Sequence, residues 1–444
     1  MAGGYVRELR QCGYQHGRGR PLNSPFLDNS LFRNIYCYLA SGSDDCAARG
    51  YDVAILPSGF EWLAFALTAF IIINIVTNAG LGAVIVYIWG ERRILGRIQN
   101  RTGPNRWGPF GTLTSVADAI KTLFKEDIVP DEADRWLFNL APILMVFPVL
   151  MVLSVIPFGV GTFVVDLNVG ILFVIAITSM SGISVVLASW ASGNRIAIFA
   201  GMRSVAMLIS YEIPMALSLI GVLMLAGSMS LGAIVDAQDI PFILVQPLGL
   251  FVFLLAAQAE TSRTPFDLIE AESELAAGYL NDYSSMKFGI FFLAEFLATI
   301  VASMLIVTLF LGGWRGWEPI PSQIWFAGKT VLVLLFIMWM RFSWPRLRVD
   351  QILALAWKGL FELTLINIFV TAILIAIWPD PGITELLIMS AINWVVFFIS
   401  IWAVSKLLRP GDYTAPAPQE DRPSYPVATD ELPDEVAYTG GATR

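Results

Sequence analysis

Residues 60–89 read FEWLAFALTAFIIINIVTNAGLGAVIVYIW, a run of thirty in which Glu61, at the edge, is the only charge. A helix crosses a bilayer with about 20 apolar residues. This run therefore spans with length to spare, and the surplus predicts a strong tilt or a protrusion from the membrane. Runs of the same kind fall near 141–164, 169–190, 204–226, 243–259, 288–311, 328–344, 359–378 and 386–405. The fold class is thus all-α and polytopic: a bundle of about nine tilted transmembrane helices with ordered cytoplasmic loops.

Composition agrees. Of 444 residues 56% are apolar and 14% charged, against roughly 25% charged in soluble domains, and the mean hydropathy is +0.67. Soluble enzymes, secreted disulfide scaffolds and, with a net charge of −8, nucleic-acid binders are excluded. The only histidine is His16, and the cysteines are Cys12, Cys37 and Cys46, all ahead of the first apolar run. The membrane body therefore has no imidazole or thiol for haem, copper or an iron–sulfur cluster. The four N-terminal residues have no C-x-x-C pairing to favour zinc.

Three regions follow. Residues 1–58 are Gly/Arg/Ser/Asp-rich without helical period and form an N-terminal extension with no apolar core of a signal peptide. Residues 59–409 are the membrane domain. Residues 410–444 hold six prolines, seven acids and two arginines, the composition of a disordered tail. Of twenty Lys and Arg between 59 and 409, eighteen fall on one side and only Arg315 and Lys329 on the other. The positive-inside bias places the N-terminus outside and the C-terminus in the cytoplasm of a cell-membrane protein.

The cytoplasmic loops carry the chemistry. The first begins Glu91-Arg92-Arg93 and passes through Gly103-Pro104-Asn105-Arg106-Trp107-Gly108-Pro109, whose turns predict a rigid loop. Leu113, Val116, Ala117, Ile120, Leu123 and Phe124 then recur at helical spacing, with Asp118, Lys121 and Lys125 opposite. Such a segment, too short to span, lies in the membrane interface. A simple surface anchor would look the same.

In the second loop Asp267 can cap a helix in which Glu270 and Glu274 share one face at i, i+4. Six carboxylates between Glu260 and Asp282 oppose only Arg263 and Lys287. They are interleaved with Pro265, Phe266, Leu268 and Ile269, so a packed loop that passes protons competes evenly with a solvated acidic one. Glu212, in Ser210-Tyr211-Glu212-Ile213-Pro214, lies within an apolar span. A charge in the bilayer core costs about 3 kcal/mol or more, which turns Glu212 toward the protein interior. Glu295 and Glu362 sit near enough to span ends to reach the cytoplasmic surface.

Six segments, GRIQNRTGPNRWGPFG (96–111), VADAIKTLFKED (116–127), LISYEIPMALSL (208–219), AETSRTPFDLIEAESELAAGY (259–279), YSSMKFGIFFLAEF (283–296) and PRLRVDQ (345–351), resemble the H subunit of bacterial NADH:quinone oxidoreductase, the family of respiratory complex I that includes mitochondrial NADH dehydrogenase subunit 1. The resemblance implies a quinone chamber with its entrance between the first helix and the amphipathic helix, near Asp118 and Lys121. It implies that the loop from Glu260, with Arg263 and Phe266, lines that chamber. Glu212, Glu260, Asp267, Glu270, Glu272 and Glu274 would relay protons, with Arg263 countering their charge.

On the same resemblance no cofactor is held by this chain; quinone is the substrate, and FMN and iron–sulfur clusters belong to partner subunits of the peripheral arm. Small membrane subunits and lipid are the other expected partners. Glu362 stands where the family usually has Pro. The related membrane subunit of an energy-converting hydrogenase is the alternative, and a stand-alone cation transporter, which would need a second broken helix to match the Pro214 site, is more distant.

Overall fold

The computed structural model describes residues 35, 36, 39, 61–160, 162–267, 278–317, 320–379 and 381–407. The 1–58 extension apart from three residues, the 410–444 tail, and Glu270, Glu272 and Glu274 lie outside the described residues. Among the described residues there is no strand, and eight helices are long and apolar enough to cross a membrane.

The first helix, α1 (Glu61–Ile98), has 38 residues, or roughly 57 Å at the helical rise. Glu91-Arg92-Arg93 therefore belong to the helix and not to the loop the sequence places them in. No proline interrupts 61–98, so the charged turns continue past the apolar run as its protruding end. The chain then turns through Trp107, Gly108, Phe110 and Gly111, all at positive φ. A side chain at Gly111 would meet the Pro104 carbonyl at 2.4 Å, so the turn requires glycine there. The amphipathic helix α2 (Thr114–Phe124) follows with 11 residues, and the Arg92–Asp118 ion pair at 2.5 Å ties it to α1.

Next come three spans, α3 (Arg135–Val155), α4 (Gly170–Ala191) and α5 (Arg195–Ala226), and then, after the short α6 (Leu231–Ala237), a broken apolar run. That run divides into α7 (Phe242–Val245) and α8 (Pro247–Glu260), with Gln246 outside helical geometry between them. Pro247 has no N–H to donate and disfavours helical backbone at the preceding residue.

Backbone groups freed inside a membrane must find partners. The Leu244 carbonyl accepts from Ser390 Oγ and the Val245 carbonyl from Asn393 Nδ2, each at 2.7 Å. Gln246 donates to Thr371 Oγ1 at 2.9 Å and accepts from Asn367 Nδ2 at 3.2 Å. These groups come from the last two described helices, so the break is fastened from far along the chain. Gly221 permits the approach, because a side chain there would meet Gln246 Oε1 at 2.4 Å.

The remaining spans are α9 (Ser285–Phe310), α10 (Ser322–Ser343), α11 (Val349–Ile377) and α12 (Ile383–Leu407). Helix α11 starts ten residues ahead of the apolar run, and Gln351 supplies the reason: its side chain accepts the Arg348 N–H at 3.2 Å and caps the helix. A π-helical turn, Ala356–Leu360, interrupts it. The main core gathers Met207, Tyr211, Met215 and Leu219 of α5 with Val252 and Ala256 of α8 and Val301 and Leu305 of α9. Small residues at the α5–α8 contact bring the two backbones close.

Candidate functional site

Helix α5 passes Pro214 without a break. Glu212 stands roughly 26 Å along it from Arg195, deeper in the helix than the apolar run alone indicates. Its side chain faces a cavity of about 140 Å³ lined also by Thr178, Ser179, Ser181, Tyr211 and Glu260. Thr178 and Ser181 sit where α4 is irregular, since Ser179 departs from the regular helix between two helical stretches. Hydroxyls that bond to carbonyls a turn earlier favour such a bend, and Thr178 and Ser179 both do so.

Glu260 ends α8 and is the junction of the site. It lines the Glu212 cavity and two adjoining ones. The second places Thr261, Ser262 and Glu295 among mostly apolar side chains such as Met145, Val152 and Leu305. Glu295 of α9 is 5% exposed, so it faces the interior and does not reach the surface as its place near the helix start permits. Three carboxylates from α5, α8 and α9 thus border consecutive small cavities, with Ser and Thr hydroxyls between them. Such a row of acids and hydroxyls can hold water and hand protons along.

Arg263 and Phe266 follow Glu260 in a tight turn, in which the Phe266 N–H donates to the Arg263 carbonyl at 2.9 Å. Phe266 is fully buried against Tyr211, ring centroids 4.9 Å apart, and the Tyr211 hydroxyl donates to the Ile352 carbonyl at 3.0 Å. Arg263 is 3% exposed. It lies 4.3 Å from the Phe296 ring and 4.0 Å from Glu91. Among the described residues its counter-charge is therefore Glu91 of the first helix. Arg341 pairs with the same carboxylate. Asp267, half-buried, is the last residue described before Gly278.

Asp118 and Lys121 lie apart from the buried acids, on the exposed side of α2. Asp118 joins Arg92 and, at 3.7 Å, Lys121. Ile120, Leu123 and Phe124 of the same helix are exposed large apolar side chains, as an interfacial helix requires. Glu362 is exposed and lines none of the cavities described. Two features are not legible in the sequence. Glu91 reads as the start of a polar loop, and the hydroxyls of Thr178 and Ser181 are hidden in an apolar run.

A family model described as NADH dehydrogenase matches residues 70–372. The chain belongs to this family. The matched residues contain Glu91, Asp118, Glu212, Glu260, Arg263 and Glu295. The chain is also 49% identical over 330 residues to the H subunit of the NADH-quinone oxidoreductase of Dehalococcoides mccartyi strain CBDB1, an alignment covering 74% of this chain and 92% of the relative. It is 43% identical over 320 residues to the H 1 subunit of the same-named enzyme of Rhodopseudomonas palustris strain HaA2, covering 70% of this chain and all of the relative. It is 48% identical over 295 residues to the H 1 subunit of the Geobacter metallireducens enzyme, covering 64% and 89%. Helix α12, whose Ser390 and Asn393 fasten the break at Gln246, lies beyond the residues the NADH dehydrogenase model matches.

Proposed function

We propose that this chain is the membrane-embedded H subunit of a proton-translocating NADH:quinone oxidoreductase, in which it helps to form the quinone chamber and couples quinone reduction to proton movement. One observation carries the coupling role: Glu212, Glu260 and Glu295, from three helices, border consecutive cavities inside a membrane bundle. Reduction of a quinone to a quinol takes two electrons and two protons. The family resemblance assigns the electrons to flavin and iron–sulfur centres on partner subunits, and the membrane body of this chain has no histidine or cysteine to ligate a haem or cluster. Protons reach or leave the site along the carboxylates.

Charge explains why such a row responds to quinone chemistry. Adding or withdrawing one proton in a weakly solvated cluster changes its net charge, and that biases any packing arrangement that depends on it. Asp267 and, by sequence, Glu270, Glu272 and Glu274 are assigned to the same proton relay. Asp118, Lys121, Arg263 and Phe266 belong to the chamber and its entrance, where α1 and the interfacial α2 meet. The Lys/Arg distribution supports an outside N-terminus and a cytoplasmic C-terminus. That orientation requires an odd number of crossings, so the short α8 with its broken partner α7 counts as the ninth.

Purification in mild detergent through a tag on this chain tests the reading. Flavin, iron–sulfur subunits and inhibitor-sensitive NADH:quinone reductase activity should accompany it. Recovery with nickel and hydrogen-evolving activity would replace the reading with the hydrogenase one.

A further inference from the structure

Glu91 is a buried acid that the proton path does not use. It sits on α1 where that helix leaves the apolar run, 6% exposed. Arg341 of α10 touches its Oε1, and Arg263 approaches the same oxygen at 4.0 Å. Three elements distant in sequence therefore meet on one carboxylate. Among the described residues the cluster is not saturated: Glu91 Oε2 and the Nε and Nη2 groups of Arg263 are buried with no hydrogen-bond partner there. A buried guanidinium with free donors is held by charge, and its position follows its counter-ion.

Arg263 transmits that position in two directions. Its neighbours Ser262 and Thr261 line the cavity shared by Glu260 and Glu295. Its guanidinium lies over Phe296, the residue after Glu295, while Tyr87, one turn before Glu91, meets the same ring edge-on at 5.7 Å. In the other direction, the Arg263–Phe266 turn ends on the ring of Tyr211, the residue before Glu212. The turn is also anchored by the Leu347 N–H, which donates to the Pro265 carbonyl at 3.1 Å. Moving Arg263 thus moves the walls between the three carboxylates.

We propose that Glu91 is a positioning residue for proton coupling: by holding Arg263 it sets the 261–266 turn, and so links the first helix to the cavities shared by Glu212, Glu260 and Glu295. The inference rests on the function proposed above and adds a residue on α1 to it. A simple structural pin would show itself as lost assembly with normal turnover per assembled complex. A positioning role shows itself in coupling.

The test uses the whole complex in proteoliposomes, measuring NADH oxidation with a hydrophilic acceptor, quinone reduction, and protons moved per NADH. In Glu91→Gln the hydrophilic-acceptor rate should match wild type, while quinone reduction falls about tenfold and the proton ratio drops. Glu91→Asp, which keeps the charge at shorter reach, should be intermediate in both. If Glu91→Gln does not assemble, Glu91→Asp decides, a lowered ratio supporting the proposal and a wild-type ratio overturning it. Wild-type coupling in both Glu91 variants, or a raised quinone KM with kcat and ratio unchanged, would also overturn it. A wild-type complex without inhibitor-sensitive quinone reduction would instead remove the functional reading, and the proposal with it.

Discussion

Glu212 and Glu260 open onto one cavity from two helices, the first in mid-helix on α5 and the second at the end of α8. Because Glu260 also borders the Glu295 cavity, removing it should interrupt the row, whereas removing either neighbour shortens it. Glu260→Gln is therefore expected to lower coupled quinone reduction at least as far as Glu212→Gln and further than Glu295→Gln. Rates per assembled complex in the three variants give the order.

The helix break at Gln246 predicts a non-additive pair. Gln246→Leu leaves Asn367 and Thr371 buried without their partner, a loss of about 1–3 kcal/mol. Replacing Asn367 by Leu in addition removes one of the stranded groups, so the double variant should be less destabilised than the two single losses added together. Thermal unfolding of the purified complex in a double-mutant cycle measures the coupling.

Phe266 fills a fully buried site against Tyr211. Phe266→Ala should cost about 3–5 kcal/mol through the lost burial and the cavity left behind, and should loosen the turn that carries Arg263. Phe266→Leu keeps most of the volume and should cost well under half as much. Yield and melting temperature rank the two.

The Arg92–Asp118 pair predicts the opposite. Both side chains are more than a third exposed, and ion pairs of that kind contribute about 1 kcal/mol or less. Asp118→Asn should therefore leave assembly and melting temperature close to wild type. A rise in the quinone KM without such loss would mark Asp118 as an entrance residue.

Much of this is legible in the sequence, and the exceptions have physical causes. The overlong first span and the acid at Glu212 stand out because charge and length violate what a bilayer tolerates. Glu295 reads as superficial because distance along a helix from its end says nothing about which way a side chain points, and packing turns it inward. Glu91 is illegible: flanked by Arg92 and Arg93 it resembles a solvated loop, and its burial comes from Arg263 and Arg341, the latter 250 residues away. The break at Gln246 has its signal in Pro247, yet the apolar run continues across it, and the groups that satisfy it lie on α11 and α12.

The central claim is that carboxylates inside this bundle carry the protons that quinone reduction moves. Its most direct measurement is the number of protons translocated per NADH by the reconstituted complex carrying Glu260→Gln, with hydrophilic-acceptor activity as the control for assembly. Intact hydrophilic-acceptor activity is expected, with proton translocation abolished or clearly lowered per NADH. An unchanged proton ratio at an unchanged quinone-reductase rate would contradict it.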